Sequence, residues 1–520
     1  MTALPQFADD IEALPEGAWV DGRHASAAST AIADFVVIGS GASGAVAAAT
    51  LTAAGHDVVI LEEGPWIRTR TMQPSLAHGM RTLFRGGGAQ VTFGRSNLIL
   101  MQGSNVGGTT TVNSAIALRA SDELLETWDR DHRLAGTLGP RALEPHFEAL
   151  EKALKVRPVA AAVLGEQNRL FGEAARRLGV VAEPVPRFES GCVGSAGCLT
   201  GCREGKKLGM GVTFIPDALR AGARLYSSAR VERIVSHEGR ATGVVARFKS
   251  GAAPTLTVLA RKGVVVCASA VQTPNLLRRS SVRSPALGQY FQVHPGVSIG
   301  GRFDRPIRQE FGATQGFNSM HFAKSHRFKL ESVSLQPELM AMNIAGAGHT
   351  LTRHLENFDH LMAWAVALRG EANGSVKGFL GGDQVFYTPT RLDMERIRTG
   401  LKVLTQMMFE VGALEVWPGV HGMPASLRSA DELHRWDDAS LDPRAYNLIA
   451  THLFGAARIG PEPKGSVIGL DFQAHELERL WVLDSSLFPS NLGTNPQLTI
   501  MAIARLGAQQ ISSDAKGRLR

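Results

Sequence analysis

Cysteine is scarce in this chain, at 4 residues in 520. That excludes the dense disulfide framework of a small secreted protein and makes a reducing compartment the expectation. Aromatic residues are also few, at 6%. No block of about five or more like charges occurs, so despite a formal charge of +7 and a sequence pI of about 9.4 no nucleic-acid partner is expected. The basicity suits solubility, or contact with an anionic partner or a membrane surface. The opening MTALPQFADDIEALPEGAW has no basic segment leading into an apolar core and no twin-arginine pair. No export signal is therefore expected, and the expected location is cytoplasmic, with peripheral attachment to a membrane compatible with the charge. Long apolar runs are missing as well. The most apolar stretch, from Phe35 to Leu51, is interrupted by three glycines, which fits a buried strand, turn and helix and not a membrane span. With 44% hydrophobic and 20% charged residues, the composition excludes disorder, coiled coil and fibre, and the length allows more than one lobe.

Glycine, in contrast, is abundant. Its 56 positions exceed the usual ~7% of residues and call for many positive-φ turns or close backbone approaches. Three of them carry the first chemical motif, DFVVIGSGASGAVAAATLTAAGHDVVILEEG. Gly39 permits a tight turn after the strand Phe35–Ile38, Gly41 lets a pyrophosphate approach the backbone, and Gly44 lets helix and strand pack closely. The helix N-terminus offers free N–H groups and its positive dipole end to the phosphates. Glu62 follows the second strand, Val58–Leu61, where a carboxylate accepts hydrogen bonds from the adenosine ribose and favours NAD or FAD over NADP.

A second stretch, GSNVGGTTTVNSAIALR, sets Gly107 and Gly108 beside small hydroxyl residues, so the backbone can lie against a flat ring; FAD explains this better than NAD. Leu143, Phe147, Leu150 and Leu154 form one helical stripe, and Ile397, Leu401, Leu404 and Met408 another. Residues 361–390 hold two β-like runs, the second with a Gly381–Gly382 turn signal. A strand ending at Asp484 is followed by Asn495-Pro496, which predicts a helix N-terminus with Asn495 as its cap, able to stabilise negative charge on a flavin ring. The expected fold class is α/β, a Rossmann-like FAD-binding domain with a second α+β substrate domain on an antiparallel sheet. The expected divisions are a poorly structured lead-in (1–33), a discontinuous FAD-binding domain (34–120, 205–295 and 445–520), and a substrate-binding domain and cap (121–204 and 296–444).

Together with VVVCASAVQTPNLL (264–277), LGQYFQVHP (287–295), THLFGAARIG (451–460) and DSSLFPSNLGTNPQLTIMAIA (484–504), these motifs resemble in order and spacing the glucose–methanol–choline (GMC) family of FAD-dependent alcohol oxidoreductases. The long-chain and aryl-alcohol branch is the most similar. The resemblance implies that Asn113 sits over the flavin, that FAD is noncovalent because covalently flavinylated members carry a histidine near that position, that Val231 meets the adenine through its backbone, and that Asp484 faces the ribityl or pyrophosphate region. It implies a catalytic pair, His452 and Asn495. An imidazole titrating near ~6.5 takes a hydroxyl proton as hydride leaves for flavin N5, and an amide orients the same oxygen. Ala456 and Ile459 depart from the family's common Ser or Thr and Met.

The implied substrate is a small alcohol of lipophilic character (long-chain, aryl or sterol-like), a reading to which Met340, Met342, Met362 and Met407 contribute as an adaptable apolar set. Oxygen or a redox partner takes the electrons. Cys192, Cys198 and Cys202, in GCVGSAGCLTGCREGKK, match neither the common zinc pairs nor the ferredoxin runs. The reading taken is a structural loop without metal; the competitors are an iron–sulfur centre and, third, zinc. An iron–sulfur centre would make the protein the FAD subunit of an electron-relay dehydrogenase acting on a sugar or polyol. Cys267 is expected to be inert core.

Overall fold

A computed structural model describes residues 14–517 apart from 345, 380 and 381. Its frame begins with β1 (Ser29–Ile38), whose last four residues are buried. Gly39 turns the chain at a φ of +99°, α1 (Ala42–Ala53) starts from Gly41, and β2 (Val58–Leu61) returns parallel to β1. Helix α1 has no polar face because it is enclosed: it packs on β1 and β2, on the helix Phe214–Arg220 and on the C-terminal helix.

Outside β2 lie Arg224–Ser227 and then Trp19–Asp21, both parallel. On the other side of β1 come Thr255–Val266 and then Leu477–Val482, parallel again. Where the strands are covered on both faces, in the last four residues of β1, in β2 and in the last four residues of Thr255–Val266, they are buried and apolar almost throughout. An antiparallel pair, Ala229–His237 and Arg240–Phe248, is fastened to the first half of Thr255–Val266. The carboxyl ends of the parallel strands lead into Gly39, Glu62 and Cys267, the side of an open α/β sheet on which ligands bind.

A second, eleven-stranded sheet is built around β3 (Gln289–Arg302). Its second half pairs antiparallel with Leu361–Leu368, which carries β4 (Phe328–Val333) on its far edge. Its first half pairs antiparallel with β5 (Ile449–Phe454), with a register shift between Val293 and Pro295. The helix Arg391–Glu410 packs on this sheet through the expected stripe of Ile397, Leu401, Leu404 and Met408, all buried. The other stripe lies on Pro140–Ala153, with Leu154 just past its end, and this helix packs against α2 (Gln497–Gly517). The expected hairpin forms between Gly374–Phe379 and Gly382–Phe386, with Phe379 opposite Gly382; Gly381 lies outside the described residues. No helix among the described residues is long and apolar enough to cross a membrane.

Three expectations are corrected. The lead-in is structured from residue 14 onward, its residues 1–13 lying outside the described set. Trp19 anchors it by an edge contact with Trp66 and a 2.9 Å bond from its indole N–H to Ser227 Oγ. Residues 289–295 and 449–454, expected in the FAD-binding part, belong to the second sheet, because β3 runs unbroken across the assigned boundary. Asn495 does not cap α2: the Ile500 N–H donates to the Pro496 carbonyl, so the first turn starts at Pro496 and the Asn495 side chain points elsewhere.

Candidate active site

The first Gly motif is set by close approach. A Cβ on Gly39 would stand 2.3 Å from the Cys267 carbonyl oxygen, and one on Gly44 would stand 1.9 Å from the Gly39 oxygen. Gly41 differs, since the nearest atom to its Cβ position is Gly108 Cα at 4.0 Å. The space in front of Gly41 is open for a ligand. Glu62 accepts from Ser40 Oγ (2.7 Å), Ser40 N (3.0 Å) and Gly64 N (2.9 Å); burial pushes its pKa up while these bonds oppose the rise. Ser40 Oγ in turn accepts from Gly107 N at 3.1 Å, so the carboxylate ties the two glycine loops together.

Gly39, Gly41, Glu62, Gly108, Asn113, Val231, Asp484, His452 and Asn495 all line one cavity of about 490 Å³. Gly44 and Gly107 lie behind it as packing and turn residues. The cavity suits FAD by two observations. Glycine leaves open room at the helix N-terminus, and two buried polar atoms on its wall, Gln102 Oε1 and Arg85 Nε, find no hydrogen-bond partner among the described residues, as expected where a polar ligand completes the site. Asp484 accepts from Ser269 N (3.0 Å), Thr273 Oγ1 (2.5 Å) and Ser486 N (2.8 Å), and burial raises its pKa. Asn113 donates to Gln497 Oε1 at 2.6 Å. Its carbonyl and that of Thr111 accept from Lys207 Nζ at 2.8 and 2.6 Å.

His452 stands on β5, opposite His294 of β3, with their Nδ1 atoms 3.1 Å apart. The Gly493 N–H donates to His294 Nε2 at 2.9 Å, so neutral His294 holds its proton on Nδ1. His452 then accepts at Nδ1 and carries its own proton on Nε2, 3.3 Å from Asn495 Nδ2. The expectation of an imidazole near its ordinary pKa is corrected: burial, then the charge of Lys329, push His452 down to about 3, and burial, His452, Lys329 and Arg369 hold His294 well below the usual range. A second proton on either ring would break a bond of the pair.

Sequence reasoning gave no role to His294, although it ends the motif LGQYFQVHP, and it missed Lys329 and Glu331. Lys329 is fully buried, its Nζ 2.5 Å from Glu331 Oε1 and bonded to Asn495 Oδ1. The alternation in FKLESV imitates a solvent-facing strand edge, which is why the pair was not seen. Of the four methionines, only Met342 lines the cavity; Met340, Met362 and Met407 are core. The apolar wall comes instead from Val297, Val333, Leu335, Leu339, Val366 and Ile449.

Cys192, Cys198 and Cys202 share a second cavity of about 10 Å³ with Arg187 and Lys207, space for roughly one water. Among the described residues no group of three or more His, Cys, Asp or Glu side chains is placed to hold a metal ion. Arg187 Nη2 lies 3.1 Å from Cys198 Sγ. Lys207 Nζ also bonds the Cys198 carbonyl at 2.9 Å, so the loop buttresses the Asn113 segment. Cys267 is buried, and burial pushes its thiol well up, making it unreactive.

Sequence profiles of the GMC oxidoreductases match residues 80–296 and 384–504, and one of NAD(P)-binding Rossmann-like domains matches 37–93. An uncharacterised GMC-type oxidoreductase of Mycobacterium tuberculosis is 36% identical over 495 residues, covering 95% of this chain and 78% of the relative. A long-chain-alcohol oxidase of Arabidopsis thaliana is 25% identical over 504 residues, covering 91% and 66%. Among solved structures, pyridoxine 4-oxidase from Mesorbium loti has the same fold with a TM-score of 0.71 at 18% identity, covering 92% of this chain and 98% of that one. The βαβ cradle, the second antiparallel sheet, the cavity between them and these matches agree, and the chain belongs to the GMC oxidoreductases, a family of FAD-dependent enzymes.

Proposed function

We propose that the protein oxidises the hydroxyl group of a lipophilic alcohol to an aldehyde or ketone. The observation that carries this reading is the convergence of His452 and Asn495 on the apolar end of the cavity that begins at the Gly39–Gly44 cradle. Bound FAD supplies the acceptor for the hydride leaving the carbinol carbon. Gly41 and the N-terminus of α1 hold its pyrophosphate, Glu62 the adenosine ribose, Val231 the adenine, and Asp484, with Gly108 and Asn113, the ribityl and ring region, without a covalent link. His452 and Asn495 hold the hydroxyl oxygen, and His452 takes its proton. Because the resting bonds put a proton on His452 Nε2, uptake there requires the imidazole pair to change tautomer first, with His294 releasing the Gly493 N–H.

The similar long-chain-alcohol oxidases and the walls of Val297, Val333, Leu335, Leu339 and Val366 support a lipophilic substrate, and relatives named oxidases favour oxygen as the final acceptor. The test is His452→Ala: FAD stays bound, and anaerobic flavin reduction by the alcohol slows by ~10²-fold or more, the range for loss of a general base. Reduction at the wild-type rate would remove His452 from the reaction.

A further inference from the structure

An ion pair buried in the wall of a largely apolar cavity needs a reason. Replacing such a pair with apolar side chains is often neutral or stabilising, so stability alone does not account for Lys329 and Glu331. Both sit on the same face of β4, two residues apart, and Glu331 lines the cavity while Lys329 is fully enclosed. The ammonium makes two bonds among the described residues: one to Glu331 Oε1 at 2.5 Å, the other to Asn495 Oδ1.

An amide has two ends of nearly equal shape and opposite hydrogen-bonding character. The neighbour of Asn495 on the other side, His452, presents Nε2–H. Left alone, Asn495 would turn its oxygen toward that N–H, and the two groups would satisfy each other. We propose that Lys329, anchored by Glu331, is a positioning residue that prevents this: an ammonium can only donate, so it captures Oδ1 and turns the Asn495 NH2 toward His452 and the cavity. The Asn495 N–H then stays available to the substrate oxygen and, together with the proton that His452 Nε2 takes from the hydroxyl, donates to that oxygen while it carries alkoxide charge, before the charge leaves with the hydride. This rests on the proposed alcohol oxidation and specifies how the pair is made ready for it. The charged and titratable groups facing His452 are His294 from β3 and Lys329 with Glu331 from β4; Arg369 acts on His294.

The experiment compares Lys329→Met, Lys329→Gln, Asn495→Ala and the double variant Lys329→Met/Asn495→Ala in the FAD-loaded protein. Expected for Lys329→Met is a flavin-reduction rate at saturating alcohol that falls about tenfold or more, with the apparent substrate Kd within about threefold of wild type. Lys329→Gln, which keeps a donor for Oδ1, retains more of the rate. The double variant is no slower than Asn495→Ala, because Lys329 acts only through the amide. A readout that needs no substrate accompanies these: 15N-histidine NMR follows the titration of His452, which moves to higher pH in Lys329→Met once the neighbouring cation is gone. Wild-type rates in Lys329→Met, fully multiplicative losses in the double variant, or an unmoved His452 titration would each overturn the proposal. Failure of every alcohol to reduce the wild-type flavin would instead sink the proposed function, while the NMR titration would still read the contact. If Lys329→Met does not fold, Lys329→Gln, which also removes the charge, reads the shift of the His452 titration, and an unmoved titration there overturns the proposal.

Discussion

His452 and His294 are neutral in the folded protein far below the pH at which a free imidazole takes a proton. The sign of the consequence follows from linkage. Between about pH 6.5, where an unfolded histidine titrates, and the depressed folded values, about 3 for His452, the unfolded chain binds more protons than the folded one. Stability contributed by keeping the pair neutral is thus full above that window and is lost as pH falls through it. Melting temperature is expected to drop between pH 7 and 4, and His452→Asn to drop less over the same range. Thermal unfolding across that pH series checks this; equal slopes for variant and wild type would show that His452 titrates normally. The same residues show what the sequence leaves hidden. The motif around His452 marks it, but its depressed pKa comes from burial and then from Lys329, which lies 123 positions away in sequence and is brought near on β4, paired with Leu361–Leu368.

At the scale of elements, the glycine cradle separates two roles that one motif combines. Gly44→Ala would drive a methyl into the Gly39 carbonyl, 1.9 Å from the Cβ position, so the apoprotein should lose on the order of 1–3 kcal/mol or more through overpacking at α1. Gly41→Ala meets nothing nearer than 4.0 Å; its apoprotein should melt near wild type while FAD affinity falls by about tenfold or more, because the methyl occupies the pyrophosphate's approach. Thermal unfolding of the apoproteins and FAD titration check the pair, and a Gly41→Ala variant with wild-type FAD affinity would move the pyrophosphate elsewhere. Elements with strong local signals were legible in the sequence: β1–α1–β2, the two amphipathic helices and the hairpin after Gly374. Their patterns depend on near neighbours. Those that were not legible depend on distant ones. Trp19–Asp21 is a strand because Arg224–Ser227 offers it an edge, β3 crosses the assigned boundary because β5 pairs with its first half, and Asn495 leaves the cap position because Lys329 holds its side-chain oxygen.

At the scale of the molecule, the parallel sheet supplies the glycine cradle, the second sheet supplies His452 on β5, the segment leading into α2 supplies Asn495, and one cavity joins them. The chain crosses between the sheets several times, so the order of motifs in the sequence identified the family without revealing where the two parts divide. The Cys192–Cys202 loop, which the sequence could read as a metal centre, serves the same junction, with Lys207 reaching from it to the carbonyls of Thr111 and Asn113. The most direct test of the account is the visible spectrum of the purified protein under anaerobic conditions, before and after adding long-chain, aryl and sterol alcohols. A two-banded flavin spectrum that bleaches with at least one of these alcohols is expected; a flavin that stays oxidised with all of them and bleaches with a sugar would contradict oxidation of a lipophilic alcohol.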